Sequence, residues 1–166
     1  MASVAVKDAN ILIDCAEIGM LKEVFQLPFQ FKTTDLLWEE VNDGEQKRAL
    51  EAFVKEKQLE LVELSIEEIS YLQEMEQNFA GLSIQDCSAM YLAKKDKGIL
   101  LTGDGKLRKT STQGGIEVHG MLWLLREVFE AGFLDKEQAL EKAKALKSSN
   151  MRLPRAELDK MIKEWS

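Results

Sequence analysis

Four carboxylates carry the chemistry that this sequence suggests: Asp8 after SVAVK, Glu40 in TTDLLWEEV, Asp86 in GLSIQDCSAM and Asp104 in GILLTGDGK. All four are expected near the ends of strands. Carboxylates that are distant in sequence and gathered by a fold suit a hard divalent cation, because Mg²⁺ and Mn²⁺ take oxygen ligands and keep waters for catalysis. An enzyme that cleaves phosphodiesters with such an ion needs little else from its side chains. Each acid also has a plainer explanation. Asp8 and Asp104 can be helix N-caps, satisfying orphan amides. Asp86 lies three residues after Ser83 and can complete a capping arrangement. Glu40 can be a solvated helix residue. The coincidence of all four favours a site over four separate structural roles.

The other reactive residue types narrow the choice. His119 is the single histidine, which argues against a His-rich zinc site and against Ser/His or Cys/His triads. Cys15 and Cys87 fall on apolar helix faces and read as buried free thiols, too few for a disulfide framework. A net charge of −7 argues against a protein that coats nucleic acid. It leaves room for an enzyme acting on RNA through a local patch. The strongest basic bias is Lys94, Lys95, Lys97, Lys106, Arg108 and Lys109, set against Asp96 and Asp104. No apolar run approaches the roughly 20 residues needed to cross a bilayer. The opening MASVAVKDAN lacks the layout of a secretion signal, so a cytoplasmic location with no membrane association is expected.

The elements that must position the acids follow from periodicity. Strands are expected at 3–7, 29–33, 59–64, 98–102 and 116–118. A helix opens at Asp8-Ala-Asn10 and weakens near Gly19, and a second covers Asp35 to about Asn42. Another follows the Asn42-Asp43-Gly44 break and runs to about Lys57. Ser65 and Glu68 form a capping box for a helix to about Phe79. Ser83 starts the helix that carries Asp86, and a short helix follows Gly103-Asp-Gly105. Helices at about 120–131 and 135–147 come next, the latter with Asp135 and Gln138 at capping-box spacing. A break at 148–153 precedes a last helix with Pro154 in its first turn. Strands alternating with helices predict an α/β fold with a parallel sheet. In such sheets the active site forms outside the carboxyl ends of the strands.

The strings DANILIDCAEIGML, TTDLLWEEV, GLSIQDCSAMYLAKK and ILLTGDGKLRK, taken in order and spacing, resemble the PIN domain family of nucleases, most closely the VapC-like toxins of toxin–antitoxin pairs. The segment GIEVHGMLWLLREVFEAGFL extends the resemblance, which covers roughly residues 3–147. It implies a three-layer α/β/α PIN-like fold with a central parallel five-stranded sheet. The domain would span 1–147, followed by a C-terminal helical extension at 148–166. The resemblance further implies a Mg²⁺- or Mn²⁺-dependent endoribonuclease, the toxin of a type II toxin–antitoxin system, with RNA as substrate, an antitoxin as partner and a homodimer as assembly. Asp8, Asp86 and Asp104 match the family's first, third and fourth acids. Glu40 before Val41 matches the second, with Glu39 as its competitor. All four would be metal ligands and catalytic residues.

Several supporting positions follow. Asn10 can steady a carboxylate or cap a turn, and Thr102 can bond a ligand carboxylate or a phosphate. Lys106 and Arg108 can contact RNA backbone or form a solvated helix face. Asp14 and Asp35 are expected to face solvent or cap helices, and His119 to fill a turn before Gly120. Two other functions compete. One is a phosphatase of the haloacid dehalogenase type, for which Asn10 stands where a second aspartate is needed. The other is a catalytically inactive PIN-like interaction module.

Overall fold

The computed structural model describes residues 1–150 and 152–166. Its strands are β1 (Ala2–Val6), β2 (Phe29–Thr34), β3 (Leu59–Val62), β4 (Ile99–Leu101) and β5 (Glu117–His119). They form one all-parallel sheet in the order β3-β2-β1-β4-β5. The helices are α1 (Ala9–Glu17), α2 (Leu21–Phe25), α3 (Asp35–Glu39), α4 (Gly44–Lys55), α5 (Ile66–Asn78), α6 (Ile84–Lys95), α7 (Gly105–Gln113), α8 (Met121–Glu130), α9 (Lys136–Ser149) and α10 (Arg155–Trp165). A parallel sheet flanked by helices is the α/β class that the sequence predicts. Parallel strands cannot be joined by tight turns, so each connection carries helix. The central strands accordingly read as apolar runs: Val4, Ala5, Val6, Leu100 and Leu101 are buried.

The strand order creates the site's location. From β1 the chain moves outward through β2 to β3, then returns to the other side of β1 with β4 and β5. The carboxyl ends of β1 and β4 therefore flank the reversal, where an open parallel sheet leaves a crevice. Val6 pairs with Leu101, and Lys7 extends the ladder by donating its N–H to the Leu101 carbonyl at 3.0 Å. This close pairing needs Gly98, where a Cβ would lie 2.3 Å from the Ser3 carbonyl oxygen.

The chain divides into two compact units. One comprises Met1–Ala9 and Pro28–His119 and holds the whole sheet with α3 to α7. Its central helix is α6, which packs on β1, β2 and β4 and against α3, α5 and α7. The core there joins Ala5, Leu37, Leu72, Met90, Leu100 and Leu107. The other unit comprises Asn10–Leu27 and Gly120–Ser166 and is helical. Within it α9 packs on α8 and α10, the Cys15 thiol reaches the Met121 sulfur at 3.7 Å, and Phe129 meets Trp165 with ring centroids 5.0 Å apart. Both cysteines are buried free thiols, and the Cys87 thiol is pushed up to about 11, mainly by burial. No helix among the described residues is long and apolar enough to cross a membrane.

Local signals were reliable where they were short. The capping boxes at Ser65/Glu68 and Asp135/Gln138 form as their spacing predicts. Several expectations need correction. The first helix ends at Glu17 because Gly19 turns the chain with φ +71°, and α2 starts separately at Leu21. Glu40 is the C-cap of α3, just beyond the helix. Asp86 follows a helix, α5, with no strand immediately before it. His119 ends β5, and its carbonyl accepts the Thr102 N–H. Pro154 is the N-cap of α10. The break expected at 148–153 does not begin at 148, since α9 reaches Ser149; within that expected span Met151 lies outside the described residues.

Candidate functional site

Two of the four acids follow the central strands directly. Asp8 comes after β1 and Asp104 after β4, on the two sides of the strand-order reversal. Asp8 is held by the β4 side: its Oδ2 accepts the Gly103 N–H at 3.3 Å and lies 3.5 Å from the Thr102 hydroxyl, which donates to it. Thr102 is fully buried, and its Oγ1 also accepts the Asp104 N–H at 3.1 Å. One threonine thus links the first and last acids. Asp104 is also the N-cap of α7, its Oδ1 accepting the N–H groups of Lys106 and Leu107 at 3.0 and 3.2 Å.

Asp86 reaches the same place from α6. It is the N3 residue of a capping box, in which its Oδ2 accepts the Ser83 N–H at 3.0 Å and the Ser83 hydroxyl accepts its own N–H at 3.0 Å. Its Oδ1 lies 3.4 Å from Lys7 Nζ, and Asp8 Oδ1 lies 3.8 Å from the same nitrogen. Asp8 and Asp86 therefore converge on one ammonium. Burial is the largest influence on Lys7 and lowers its pKa, but the charges of Asp8, Asp86 and Glu40 together hold it above the ordinary lysine value.

Glu40 enters through its field. Glu40 is exposed, and partial desolvation there raises its carboxyl above the usual range; Lys7 pulls it down, and Asp86 and Asp8 push it up again. Like charges that disfavour each other's ionisation mark a cluster that a cation relieves. Of the two candidates for the second acid, Glu40 is coupled by charge to Asp86 and Asp8, and Glu39 is the last residue of α3. The end of β2 and α6 are locked together behind it. Thr34 caps α3 by accepting the Leu37 N–H at 3.2 Å and shares a hydrogen bond of 2.8 Å with Ser88, both side chains fully buried.

The donor set is all oxygen, which suits a hard cation, and Asp8 with Asp86 already share one positive charge. Mg²⁺ is commonly held by one or two carboxylates with waters completing its shell, so this pair fits it. Among the described residues no three His, Cys, Asp or Glu side chains are arranged to hold one ion together. The direct convergence is of Asp8 and Asp86, with Glu40 acting through its charge and Asp104 joined through Thr102.

The supporting positions divide. Lys7, Thr34 and Ser88 were missed by the sequence reading, although a lysine at the end of an apolar strand and beside a candidate acid was a usable signal. Lys94 and Lys95 sit in the last turn of α6, roughly 12 Å along the helix from Asp86. The basic segment is therefore spread out, and Lys95 pairs with Glu68 at 3.3 Å. Lys106 lies over Gly81, which adopts φ +81° and leaves the space a Cβ would need. Asp35 accepts the Leu36 N–H at 2.9 Å and the Leu64 N–H at 3.4 Å, and Asp14 accepts the Asn150 amide at 2.9 Å. Asn10 is exposed. A groove of about 440 Å³ elsewhere in this unit, with Tyr71, Met75, Phe79, Met90 and Ile116 in its lining, includes none of the four acids.

With this geometry in hand, one family comparison applies to nearly the whole chain: the family model DUF3368, a PIN domain, matches residues 4–166. No curated protein matches the sequence.

Proposed function

Because the chain belongs to the PIN domain family, whose members are generally nucleases, we propose that it is a Mg²⁺- or Mn²⁺-dependent endoribonuclease with Asp8, Glu40, Asp86 and Asp104 as its acids. The observation that carries this reading is the convergence of Asp8 and Asp86 on one cation at the strand-order reversal. A divalent ion bound there would supply Lewis acidity toward a phosphoryl oxygen and a more acidic water. Asp8 and Asp86 would hold it. Thr102 and the Gly103 N–H keep Asp8 in place, and the Ser83 N–H does the same for Asp86. Glu40, exposed just beyond α3 and coupled by charge to Lys7, Asp86 and Asp8, is placed to take the proton of an attacking water. Lys106 and Arg108 on α7 would meet the backbone of the RNA as positioning charges.

The biological role in this reading is the toxin of a type II toxin–antitoxin pair, working in the cytoplasm as a homodimer held in check by an antitoxin. The test is cleavage of a mixed cellular RNA pool with Mn²⁺, Mg²⁺ or chelator, run beside Asp8→Asn. Metal-dependent cleavage lost in the variant supports the nuclease, and cleavage unchanged in the variant sinks it. Co-purification with the product of the neighbouring gene tests the antitoxin, and light scattering tests the dimer.

A second reading has one observation in its favour. Lys7 already neutralises Asp8 and Asp86 in part, so the cluster holds together without a metal, as it would in a PIN-like interaction module without catalysis. A partner-dependent function that survives removal of all four carboxylates would select it.

A further inference from the structure

Each of the two converging acids divides its oxygens in the same way. Asp8 gives Oδ2 to the Gly103 N–H and the Thr102 hydroxyl, and Asp86 gives Oδ2 to the Ser83 N–H. Both present Oδ1 to Lys7, at 3.8 and 3.4 Å. The fold thus builds a two-oxygen cation seat and fills it with its own ammonium. Resting on the metal-dependent reading above, we propose that Lys7 is the resident counter-cation of this seat: its ammonium exchanges with the divalent ion and thereby sets the site's metal affinity.

Exchange demands little of the fold. The Lys7 main chain is fixed by its bond to the Leu101 carbonyl at 3.0 Å, so the residue stays in the sheet ladder. Its charge rides on a flexible four-carbon stem and can swing without backbone movement. The Lys7 side chain is mostly buried, at 17 % exposure, so little water screens the contact. A divalent ion held by Asp8 and Asp86 would stand close to an ammonium that stayed, and the like charges would repel. If the ammonium left, an ion of twice its charge would balance both carboxylates. Without metal, Lys7 keeps the two acids from repelling each other.

The test is calorimetric titration of MnCl₂ into the full chain, wild type beside Lys7→Met, Lys7→Gln and Lys7→Arg, with melting measured in chelator and in Mn²⁺. The neutral variants should bind Mn²⁺ about fivefold more tightly or better, the low end of what a unit charge about 4 Å away is worth, and Lys7→Arg should stay near wild type. In chelator the neutral variants should melt below wild type, and Mn²⁺ should raise their melting temperature by more. If wild type binds Mn²⁺ and both neutral variants bind it equally or more weakly, Lys7 is an ordinary ion-pair partner and the inference fails while the nuclease reading stands. If neither wild type nor any variant binds Mn²⁺, the metal-dependent reading fails and takes this inference with it. Binding that appears only in the neutral variants would uphold the exchange, with Lys7 winning the competition.

Discussion

Asp104 is assigned two tasks that substitution can separate. As N-cap of α7 its Oδ1 accepts two N–H groups, at 3.0 Å from Lys106 and 3.2 Å from Leu107. As a candidate acid it contributes a negative charge beside Asp8 through Thr102. Asparagine caps helices as well as aspartate does, so Asp104→Asn keeps the cap and removes the charge. Its stability cost is limited to the lost attraction to the helix dipole, a few tenths of a kcal/mol up to about 1. Asp104→Ala removes both functions. Losing an N-cap costs about 1 kcal/mol, with a range of about 0.5–2. The first turn here carries Leu107, which is fully buried, so fraying would reach the core and the cost should lie in the upper half of that range. For a chain of this length each kcal/mol is worth about 2–4 °C in melting temperature. The assay pairs melting in chelator with RNA cleavage in Mn²⁺. Asp104→Asn should melt close to wild type and lose cleavage, while Asp104→Ala should lose both. Full cleavage by Asp104→Asn would reduce the carboxylate to a cap. An Asp104→Ala protein that melts like wild type would refute the capping argument.

Three further outcomes follow from the same structure. Thr34→Val removes the cap of α3 and the bond to Ser88 at a fully buried position, and should lower the urea unfolding free energy by about 2 kcal/mol, whereas Thr34→Ser should recover most of it. Glu40, though exposed, has its folded pKa raised above the ordinary 4.5, first by partial desolvation, so the folded state binds the proton more readily and stability falls slightly as pH rises through the window from 4.5 to the raised value, an effect that solvent screening keeps small. Glu40→Gln should therefore melt slightly higher than wild type in chelator at neutral pH, with the small advantage vanishing below about pH 4.5; an unchanged difference at acidic pH would contradict this. Glu68 is held down to about 2, first by the Tyr91 hydroxyl at 2.6 Å and then by the Ser65 N–H and Lys95, so its stabilisation is present above 4.5 and lost as pH falls toward about 2. Tyr91→Phe should be less stable than wild type at neutral pH, and denaturant melts should show the gap closing across that acidic window.

What could be read from the sequence was what a few adjacent residues decide. The capping boxes at Ser65 and Asp135, the buried runs of β1 and β4, and the helix carrying Asp86 each depend on spacings of two to four residues. The break between α1 and α2 was blurred because Gly19 lies inside a continuous apolar pattern, and only its left-handed backbone reveals the turn. Lys7 escaped notice for a different reason. A lysine after SVAV looks like the solvent-facing end of a strand, and nothing local says that β4 will pair beside it or that α6 will deliver Asp86 to its ammonium. Thr34 and Ser88 were hidden in the same way, each an unremarkable hydroxyl until β2 and α6 meet. The sequence posed a choice for each acid between helix cap and ligand. For Asp86 the two need not exclude each other, because a carboxylate has two oxygens: Oδ2 closes the capping box and Oδ1 faces the Lys7 ammonium. The cap then has a use beyond the helix, since it fixes the carboxylate's orientation and so aims the free oxygen at the seat it shares with Asp8.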